Sequence, residues 1–195
     1  VAVVEPNPKP RSAISTLQPL EELGEKYGCA TFETFDACLA SGLAFDGVIV
    51  CTSHASHSQL GAQALAKGKH VLMEKPMATS VAECESILAA AEASGMTFMI
   101  SEQSQYWAPV VLAKELIDQG TIGNVVSVRA KYTQGGTSNM WAAVLDGAGG
   151  QGDEKGVVKD ESGAAKPWRY DLRLTGGGVT IDGGAHWLRP MRMLT

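Results

Sequence analysis

Short apolar runs alternate with helical segments over the first hundred residues, and this order limits the fold more than any other feature of the 195-residue chain. Four runs are predicted as strands, at residues 1–4, 48–51, 70–73 and 96–100. Strand–helix–strand repeats of this kind form parallel sheets with right-handed crossovers. Because the runs are apolar throughout, we expect strands that are covered on both faces. Residues 1–100 are therefore predicted to form most of a doubly wound α/β sheet.

The helices between these strands have ordinary start and stop signals. Ser80 and Glu83 form a capping box, and Gly95 closes the Ala-rich helix that follows. The helices predicted in this way span residues 19–27, 36–40, 58–67, 81–94 and 110–119.

The pattern changes after Gly123. Residues 124–134 (NVVSVRAKYTQ) alternate between apolar and polar, which predicts an antiparallel strand with one solvated face. Residues 135–165 are rich in glycine and charge with little periodicity, which favours a long loop or insertion. We place a domain boundary near Gln103, giving a first domain at 1–103 and a second at 104–195.

Charge and cysteine content limit the class of partner and the compartment. Sixteen Lys and Arg against twenty-one Asp and Glu give a net charge of −5, whereas nucleic acid and anionic membranes require a basic surface. The four cysteines form no C-x-x-C pair, and Cys51 and Cys84 lie in apolar segments, which indicates reduced core thiols in a cytoplasmic protein. The chain begins in the body of a strand and ends in an amphipathic stretch, so we expect an internal part of a longer protein.

The segments that directly follow strands are the first places to look for a site, because ligands of doubly wound sheets bind beyond the carboxyl ends of the strands. Glu5 follows the first strand, where an acid can hydrogen-bond the ribose of a dinucleotide; a solvated loop carboxylate is the alternative. Lys9 and Arg11 could instead receive a 2′-phosphate, so NAD is only slightly favoured over NADP. The other segments are residues 51–57, 73–76 and 101–103.

His54 and His57 follow the second predicted strand, in a turn that leads into a helix N-terminus. Free N–H groups at such a terminus suit a ribose or phosphate. For His54 a simple solvated position is the more common alternative. No third Cys, His or acid lies in register with the two histidines, so we predict no metal site.

Lys75 stands between a buried strand and Pro76. The strand end and the proline fix its backbone, so its ammonium can be aimed into the crevice, although a surface position is the usual one for such a lysine. An aimed ammonium could bind a substrate hydroxyl and stabilise the alkoxide that forms during hydride loss.

Asp182 and His186 are four residues apart in the segment GGGVTIDGGAHW. If the segment is helical, both side chains lie on one face, and Asp182 can orient the imidazole. Histidine is the natural proton acceptor near neutral pH. The alternative is a helix cap with a packed histidine.

Three segments together resemble the glucose–fructose oxidoreductase / inositol dehydrogenase family (Gfo/Idh/MocA): residues 46–80 with E-K-P, 101–107, and 176–186 with D-x-x-x-H. The resemblance covers residues 1–133 and 166–195. It implies an NAD(P)-binding Rossmann domain, here without its first strand and glycine turn, followed by part of an α/β domain with an antiparallel sheet that often mediates homo-oligomerisation.

The resemblance also implies roles for individual residues. Lys75 corresponds to the family's E-K-P lysine, which contacts both substrate and nicotinamide, and Asp182 and His186 to its substrate-binding acid and catalytic histidine. The positions that correspond to cofactor contacts are Glu5, Thr52, His57, Glu74, Lys75 and Pro76. Three positions depart from the family's pattern: Ser53 replaces a proline, Gln105 stands nearest to a frequent arginine, and Arg189 replaces an acid.

The implied activity is hydride transfer between NAD(P) and a secondary alcohol of a sugar, cyclitol or diol. A non-catalytic nucleotide-binding sensor or scaffold with the same fold is the alternative, since Gln105 and Arg189 are altered. For the 195-residue chain by itself we expect weak or no turnover, because the phosphate-binding turn is not in it.

Overall fold

The computed structural model describes residues 1–9, 18–131 and 171–195, together with the backbone of two short strands between 158 and 166. The chain forms two compact units. Unit 1 comprises Val1–Asp46 and Gln134–Asp171, and unit 2 comprises Gly47–Thr133 and Leu172–Thr195. The predicted sequential domains, 1–103 and 104–195, stay a prediction.

Unit 1 contains a parallel pair of strands with two helices. Strand β1 (Ala2–Val4) pairs with β2 (Ala30–Phe32), and Val3 lies opposite Thr31. Helix α1 (Leu20–Tyr27) ends at Gly28, whose φ of 60° is the left-handed conformation that glycine adopts without strain. Helix α2 (Phe35–Ala40) begins where the Thr34 side chain accepts a hydrogen bond from the Ala37 N–H. The sequence pattern missed β2, because three residues are too few to show a period.

A short antiparallel pair also belongs to unit 1. It consists of β6 (Val158–Lys159) and β7 (Ala165–Lys166). Residues 158–159 are thus strand where a loop was predicted; the rest of the predicted insertion at 135–165 lies outside the described residues, apart from Ala165.

Unit 2 is built on three parallel strands with β4 in the middle. The strands are β3 (Gly47–Val50), β4 (His70–Met73) and β5 (Phe98–Ile100), in the order β3–β4–β5. Val50, Met73 and Ile100 are aligned, so all three strands end at the same edge. The predicted α/β class, with parallel strands joined by helices, is confirmed.

Helices α3 (His54–Ala66) and α4 (Val81–Ser94) lie between the strands of unit 2 in the chain. The buried side chains of the unit include Val71 and Met73 of β4, Leu65 of α3 and Ile87 of α4. A Cβ added to Gly61 of α3 would overlap the Met73 methyl group, so the glycine lets the helix pack closely on the strand. These contacts fix the carboxyl end of β4, where Lys75 follows.

The prediction that the strands are covered on both faces is wrong for unit 2 taken alone. Ile49 and Met99 are 71% and 45% exposed, whereas their neighbours Val50 and Val71 are buried. Successive side chains of a strand point to opposite faces, so one face packs on helices and the other does not.

Two further predictions on unit 2 need correction. Helix α3 begins at His54, four residues before the predicted start, so His54 and His57 belong to the helix and not to a preceding turn. Residues 125–131 form no strand, although their alternation predicted one; a strand needs a hydrogen-bonded neighbour, and no strand in the described parts of the chain pairs with them.

The remaining helices of unit 2 follow β5 and close the chain. A 3₁₀-helix (Gln103–Tyr106) leads into α5 (Ala108–Asp118), and α6 (Leu172–Thr175) precedes α7 (Gly178–Met193). The conditional prediction that the D-x-x-x-H segment is helical is therefore confirmed.

Candidate active site

Three neighbouring strand ends and helix α7 bring the titratable residues of unit 2 together. His54 follows β3, Lys75 follows β4, and Glu102 follows β5. Each of these side chains lies within 3.6 Å of a side chain on α7, either Asp182 or His186. The carboxyl edge of the sheet and one face of α7 thus form the two sides of the site.

The Lys75 ammonium is bound by Asp182. Its Nζ lies 2.6 Å from Asp182 Oδ1 and donates a second hydrogen bond of 2.6 Å to the Asp182 carbonyl. The two side chains are only 16% and 5% exposed, so this pair is largely desolvated. The lysine is directed into the site, as its place between strand and proline predicted.

The backbone around Lys75 is held by its neighbours. Glu74 N–H donates to the Val50 carbonyl at 2.9 Å, which continues the pairing of β4 with β3, and the Lys75–Pro76 peptide is cis. The Glu74 carboxylate accepts a hydrogen bond from the Lys75 N–H at 3.1 Å. The E-K-P residues therefore form an ordered corner at the end of the central strand.

His54 also faces Asp182. Its Nε2 lies 3.6 Å from Asp182 Oδ1, and its Nδ1 lies 3.2 Å from the Thr175 carbonyl. A carbonyl can only accept, so Nδ1 carries a proton. The interpretation of His54 as a solvated loop residue is wrong, because the residue is 3% exposed.

His186 is oriented by Glu102. Its Nδ1 lies 2.9 Å from both Glu102 oxygens, and it forms a hydrogen bond with Oε1. The prediction that Asp182 orients this imidazole is wrong. The two residues share a helix face, but Asp182 is held by Lys75, and the His186 ring turns to the acid at the end of β5.

Glu102 is ionised and well anchored. Its Oε1 also accepts a hydrogen bond from the Ser104 N–H at 2.8 Å, while Oε2, at the same distance from Nδ1, has no hydrogen bond with any described residue. Burial alone would raise the pKa of Glu102, but the hydrogen bonds from His186 and Ser104 outweigh it and hold the pKa below its ordinary value. Sequence reasoning had only the strand-end position of "SEQ" to suggest this residue and assigned it no role.

The second nitrogen of His186 is open. Nδ1 donates to a carboxylate, so Nε2 is the basic nitrogen of the neutral imidazole. Nε2 makes no hydrogen bond to any described residue, and the side chain is 21% exposed. The Trp107 ring lies beside the imidazole, with 6.4 Å between ring centroids. The site therefore holds an oriented base with access to solvent.

His57 is fully buried at the base of the site. Its Nδ1 lies 2.7 Å from the Pro76 carbonyl and its Nε2 lies 3.2 Å from the Thr52 carbonyl. Burial lowers the pKa of His57 and outweighs the opposing effect of these two carbonyls. His57 therefore positions Thr52 and Pro76, and its contact with a cofactor stays a prediction.

The start of α7 is set by close contacts of the glycines that precede it. Gly176 has a φ of 77°, and an added Cβ would lie 2.7 Å from Thr79 Cβ and 2.8 Å from Thr79 O. Thr175 is fully buried, and its hydroxyl accepts a hydrogen bond from the Gly178 N–H at 3.3 Å. This turn fixes the position of Asp182 and His186 on the helix.

Two residues at the strand ends are open to solvent. Cys51 and Thr52, the two residues directly after β3, are exposed, which corrects the prediction of Cys51 as a core thiol. A Cβ added to Gly184 would meet only Thr180, at 3.8 Å, among the described residues. No cluster of three metal-binding side chains occurs in the described ranges, and none of the helices there is long and apolar enough to cross a membrane.

Glu5 belongs to unit 1. It follows β1, as predicted, and its Oε1 accepts a hydrogen bond from the Asn7 N–H at 2.9 Å. Its proposed contact with a ribose stays a prediction. Of the alternatives to it, Lys9 is exposed and Arg11 lies outside the described residues.

Comparison with known proteins gives matches along nearly the whole chain. Residues 1–102 match the family described as "Oxidoreductase family, NAD-binding Rossmann fold", and residues 110–195 match the "GFO/IDH/MocA C-terminal domain". Curated relatives include 2,7-anhydro-N-acetylneuraminate hydratase of Escherichia coli (strain K12), 32% identical over 57% of the chain, and glucose-6-phosphate 3-dehydrogenase of Bacillus subtilis (strain 168), 31% identical over 59%.

Among solved structures, aldose-aldose oxidoreductase from Caulobacter crescentus, complexed with glycerol, is 28% identical with a TM-score of 0.65, and the match covers 100% of this chain and 49% of that one. The chain spans 30% and 32% of the length of the two curated relatives. With a parallel sheet whose strand ends carry the E-K-P lysine, and with family matches to both parts of the sequence, the chain belongs to the GFO/IDH/MocA oxidoreductase family.

Proposed function

We propose that the whole protein transfers a hydride between NAD(P) and a secondary alcohol of a sugar, cyclitol or diol. The observation that carries this proposal is His186: Glu102 holds its Nδ1 at 2.9 Å, and its Nε2 has no partner among the described residues. A general base needs this combination of a fixed ring, a basic nitrogen and access for substrate.

In this mechanism His186 Nε2 accepts the hydroxyl proton of the alcohol. Glu102 keeps the proton on Nδ1 and stabilises the imidazolium that forms, as a carboxylate does for the histidine of a catalytic triad. Lys75 donates a hydrogen bond to the substrate oxygen and stabilises its developing negative charge. Asp182 keeps the ammonium directed through its two hydrogen bonds from Nζ, and the family resemblance implies that it also binds substrate.

A nicotinamide cofactor, when bound, supplies the hydride acceptor or donor. The residues present fit such a group. Cys51 and Thr52 are exposed at the end of β3, and a Cβ added to Gly184 of α7 would meet only Thr180 among the described residues, which suits a flat ring. We propose that Thr52, Glu74, Lys75 and Pro76 line its nicotinamide side, with His57 supporting Thr52 and Pro76, and that Glu5 binds a ribose. NAD is slightly favoured over NADP, because an acid at Glu5 suits a free 2′-hydroxyl.

We further propose that the whole protein is a cytoplasmic homo-oligomer. All four cysteines are free thiols, as is usual in a reducing compartment. An oligomer is what the family's antiparallel sheet implies, and the size of the purified whole protein in solution would test it.

The experiment is alcohol-dependent reduction of NAD or NADP by the whole protein, measured by absorbance with a panel of sugars, cyclitols and diols. We expect turnover with at least one alcohol, and a loss of roughly 10²- to 10⁴-fold in His186→Asn, with cofactor affinity retained. His70→Asn is the matched control, because His70 is an exposed histidine at the opposite end of β4.

The two failures have different meanings. Cofactor binding without turnover of any alcohol would favour the non-catalytic sensor or scaffold. Normal turnover in His186→Asn would contradict the assignment of the base.

A further inference from the structure

A second pair of residues lies one helical turn beyond His186. Arg189 Nε and Nη2 donate hydrogen bonds of 3.0 and 2.6 Å to Gln105 Oε1. Arg189 follows His186 by three residues, and Gln105 follows Glu102 by three. The Gln105–Arg189 pair thus joins the 3₁₀-helix to α7 directly beside the Glu102–His186 pair.

The positive charge of this pair is not neutralised by any of the described residues. Its partner is an uncharged amide, and no carboxylate among the described residues forms an ion pair with Arg189. The guanidinium has five N–H donors in a planar fork, and Gln105 takes only two of its N–H groups. The residue is exposed, so the remaining donors are available to a ligand.

The guanidinium is also held in place. Gln105 Nε2 donates to the Glu102 carbonyl at 3.2 Å, so the amide that receives Arg189 is itself anchored next to the acid that orients His186. An arginine that is already oriented loses less side-chain freedom when an anion binds. Residues three apart on a helix have Cβ atoms roughly 5–6 Å apart, so Arg189 and His186 can meet the same small molecule.

We infer that Arg189 is a specificity residue, and that the substrate carries an oxyanion, a carboxylate or a phosphate, next to the alcohol that is oxidised. This inference rests on the proposed function and narrows its substrate class to acidic sugars or polyols. The planar fork of arginine can donate to two oxygens of a carboxylate or phosphate at once. A neutral hydroxyl has a single oxygen and offers no such bidentate contact.

The opposing interpretation is that the pair only ties α7 to the 3₁₀-helix. A purely structural tie would affect neutral and acidic substrates equally when broken. An anion site affects acidic substrates selectively, mainly through KM, because the group lies away from the reacting carbon.

The test compares matched substrates on the whole protein: neutral aldoses or polyols, their carboxylate counterparts, and their phosphate esters. Wild type is expected to have the higher kcat/KM on one acidic series, and that series identifies which oxyanion is bound. Arg189→Met keeps the apolar stem and removes the charge; it should lower kcat/KM on that series by roughly 10- to 100-fold, with a smaller loss on the neutral series.

Two variants sharpen the result. Gln105→Glu keeps the shape of the partner but neutralises the arginine, so it should lower activity on acids in the same direction. Arg189→Lys keeps the charge and loses the fork, so it should recover part of the preference. The preference should also weaken as salt is added.

A wild type that prefers neutral substrates, or an equal loss on both series in Arg189→Met, would overturn the inference. If no alcohol is turned over at all, the proposed function fails, and the anion site is judged by calorimetric binding of the same acids. Tighter binding by wild type than by Arg189→Met would support it, and equal binding would reject it.

Discussion

Two ion pairs join helix α7 to the sheet, and their polarity is reversed. At the end of β4 the sheet provides the cation and the helix the acid, in Lys75–Asp182. At the end of β5 the sheet provides the acid and the helix the base, in Glu102–His186. Both pairs are mostly buried, yet they leave different groups open to a substrate.

The difference lies in what remains unpaired. Lys75 Nζ gives two hydrogen bonds to Asp182, and Asp182 also faces His54 at 3.6 Å, so this pair is an electrostatic anchor. The second pair occupies only Nδ1 of His186 and leaves Nε2 open. The ammonium of Lys75 has three N–H donors, so the first pair leaves one of them for a substrate oxygen, whereas the second leaves a basic nitrogen. The two pairs therefore suit a division between charge stabilisation and proton transfer, which the following variants can break.

Removal of the Lys75 charge should have the largest effect. In the whole protein we expect Lys75→Met to reduce kcat by about 10³-fold or more, because the developing oxyanion loses its cation. It should also lower the free energy of unfolding by about 3 kcal/mol, since the 5%-exposed Asp182 carboxylate loses its buried partner. Steady-state kinetics and urea unfolding measure the two effects.

The double variant Lys75→Met/Asp182→Asn separates the two effects. It removes both charges, so stability should return towards that of wild type while turnover stays low. Near-normal kcat in either variant would refute the role of the lysine. Recovery of turnover along with stability would mean that the pair is only structural.

Replacement of Glu102 should have an intermediate effect. Gln is isosteric, but it lacks the charge that stabilises an imidazolium, and its NH₂ group can turn towards Nδ1 and force the proton onto Nε2. We expect kcat to fall by roughly 10- to 10³-fold in Glu102→Gln, with the affinity for cofactor unchanged. The exposed Glu85→Gln on α4 is the matched control for loss of one negative charge.

The pH dependence of this variant gives a second measurement. The pKa of Glu102 lies below its ordinary value, so the acid should stay ionised, and support turnover, at a lower pH than an ordinary glutamate would. In wild type, protonation of Glu102 should contribute to the fall of kcat at acid pH. Glu102→Gln has no carboxyl at this position, so this contribution should be absent from its pH profile. An unchanged pH profile together with unchanged kcat would show that another group orients His186.

Much of this arrangement follows from the sequence. The alternation of apolar runs and helices predicted parallel strands, and the position of Lys75 between strand and proline predicted a directed ammonium. The spacing of Asp182 and His186 predicted a shared helix face. These features are local, because each depends on the period or punctuation of one segment.

The errors concern contacts between distant segments. Glu102 and His186 are 84 residues apart in the chain. Helix periodicity showed that Asp182 could reach the histidine, but it could not show that Glu102, on another element, forms the hydrogen bond instead. The buried His54 forms a hydrogen bond with the Thr175 carbonyl, which is 121 residues away. Residues 125–131 alternate as a strand would, but a strand needs a hydrogen-bonded neighbour, and no strand in the described part of the chain pairs with them.

The smallest effect is expected at His57, which supports both strand ends without carrying a net charge in the site. The unfolded chain protonates a histidine below about pH 6.5, whereas the buried His57 resists protonation because its pKa is lowered. The free energy of unfolding should therefore fall as the pH drops below about 6.5 and be constant with respect to this group above it. A neutral His57 has one N–H and donates it to one carbonyl, and the Pro76 carbonyl is the nearer of the two. His57→Gln should therefore lose about 1 kcal/mol at neutral pH from a weaker hydrogen bond to Pro76, and should show a flatter decline in acid. Urea midpoints at about pH 7.5 and 5.5 measure the loss at neutral pH and the decline in acid, with the exposed His70→Gln as control.

The opposite result would be the same acid decline in His57→Gln as in wild type. It would mean that His57 is already protonated in the fold and binds both carbonyls at once.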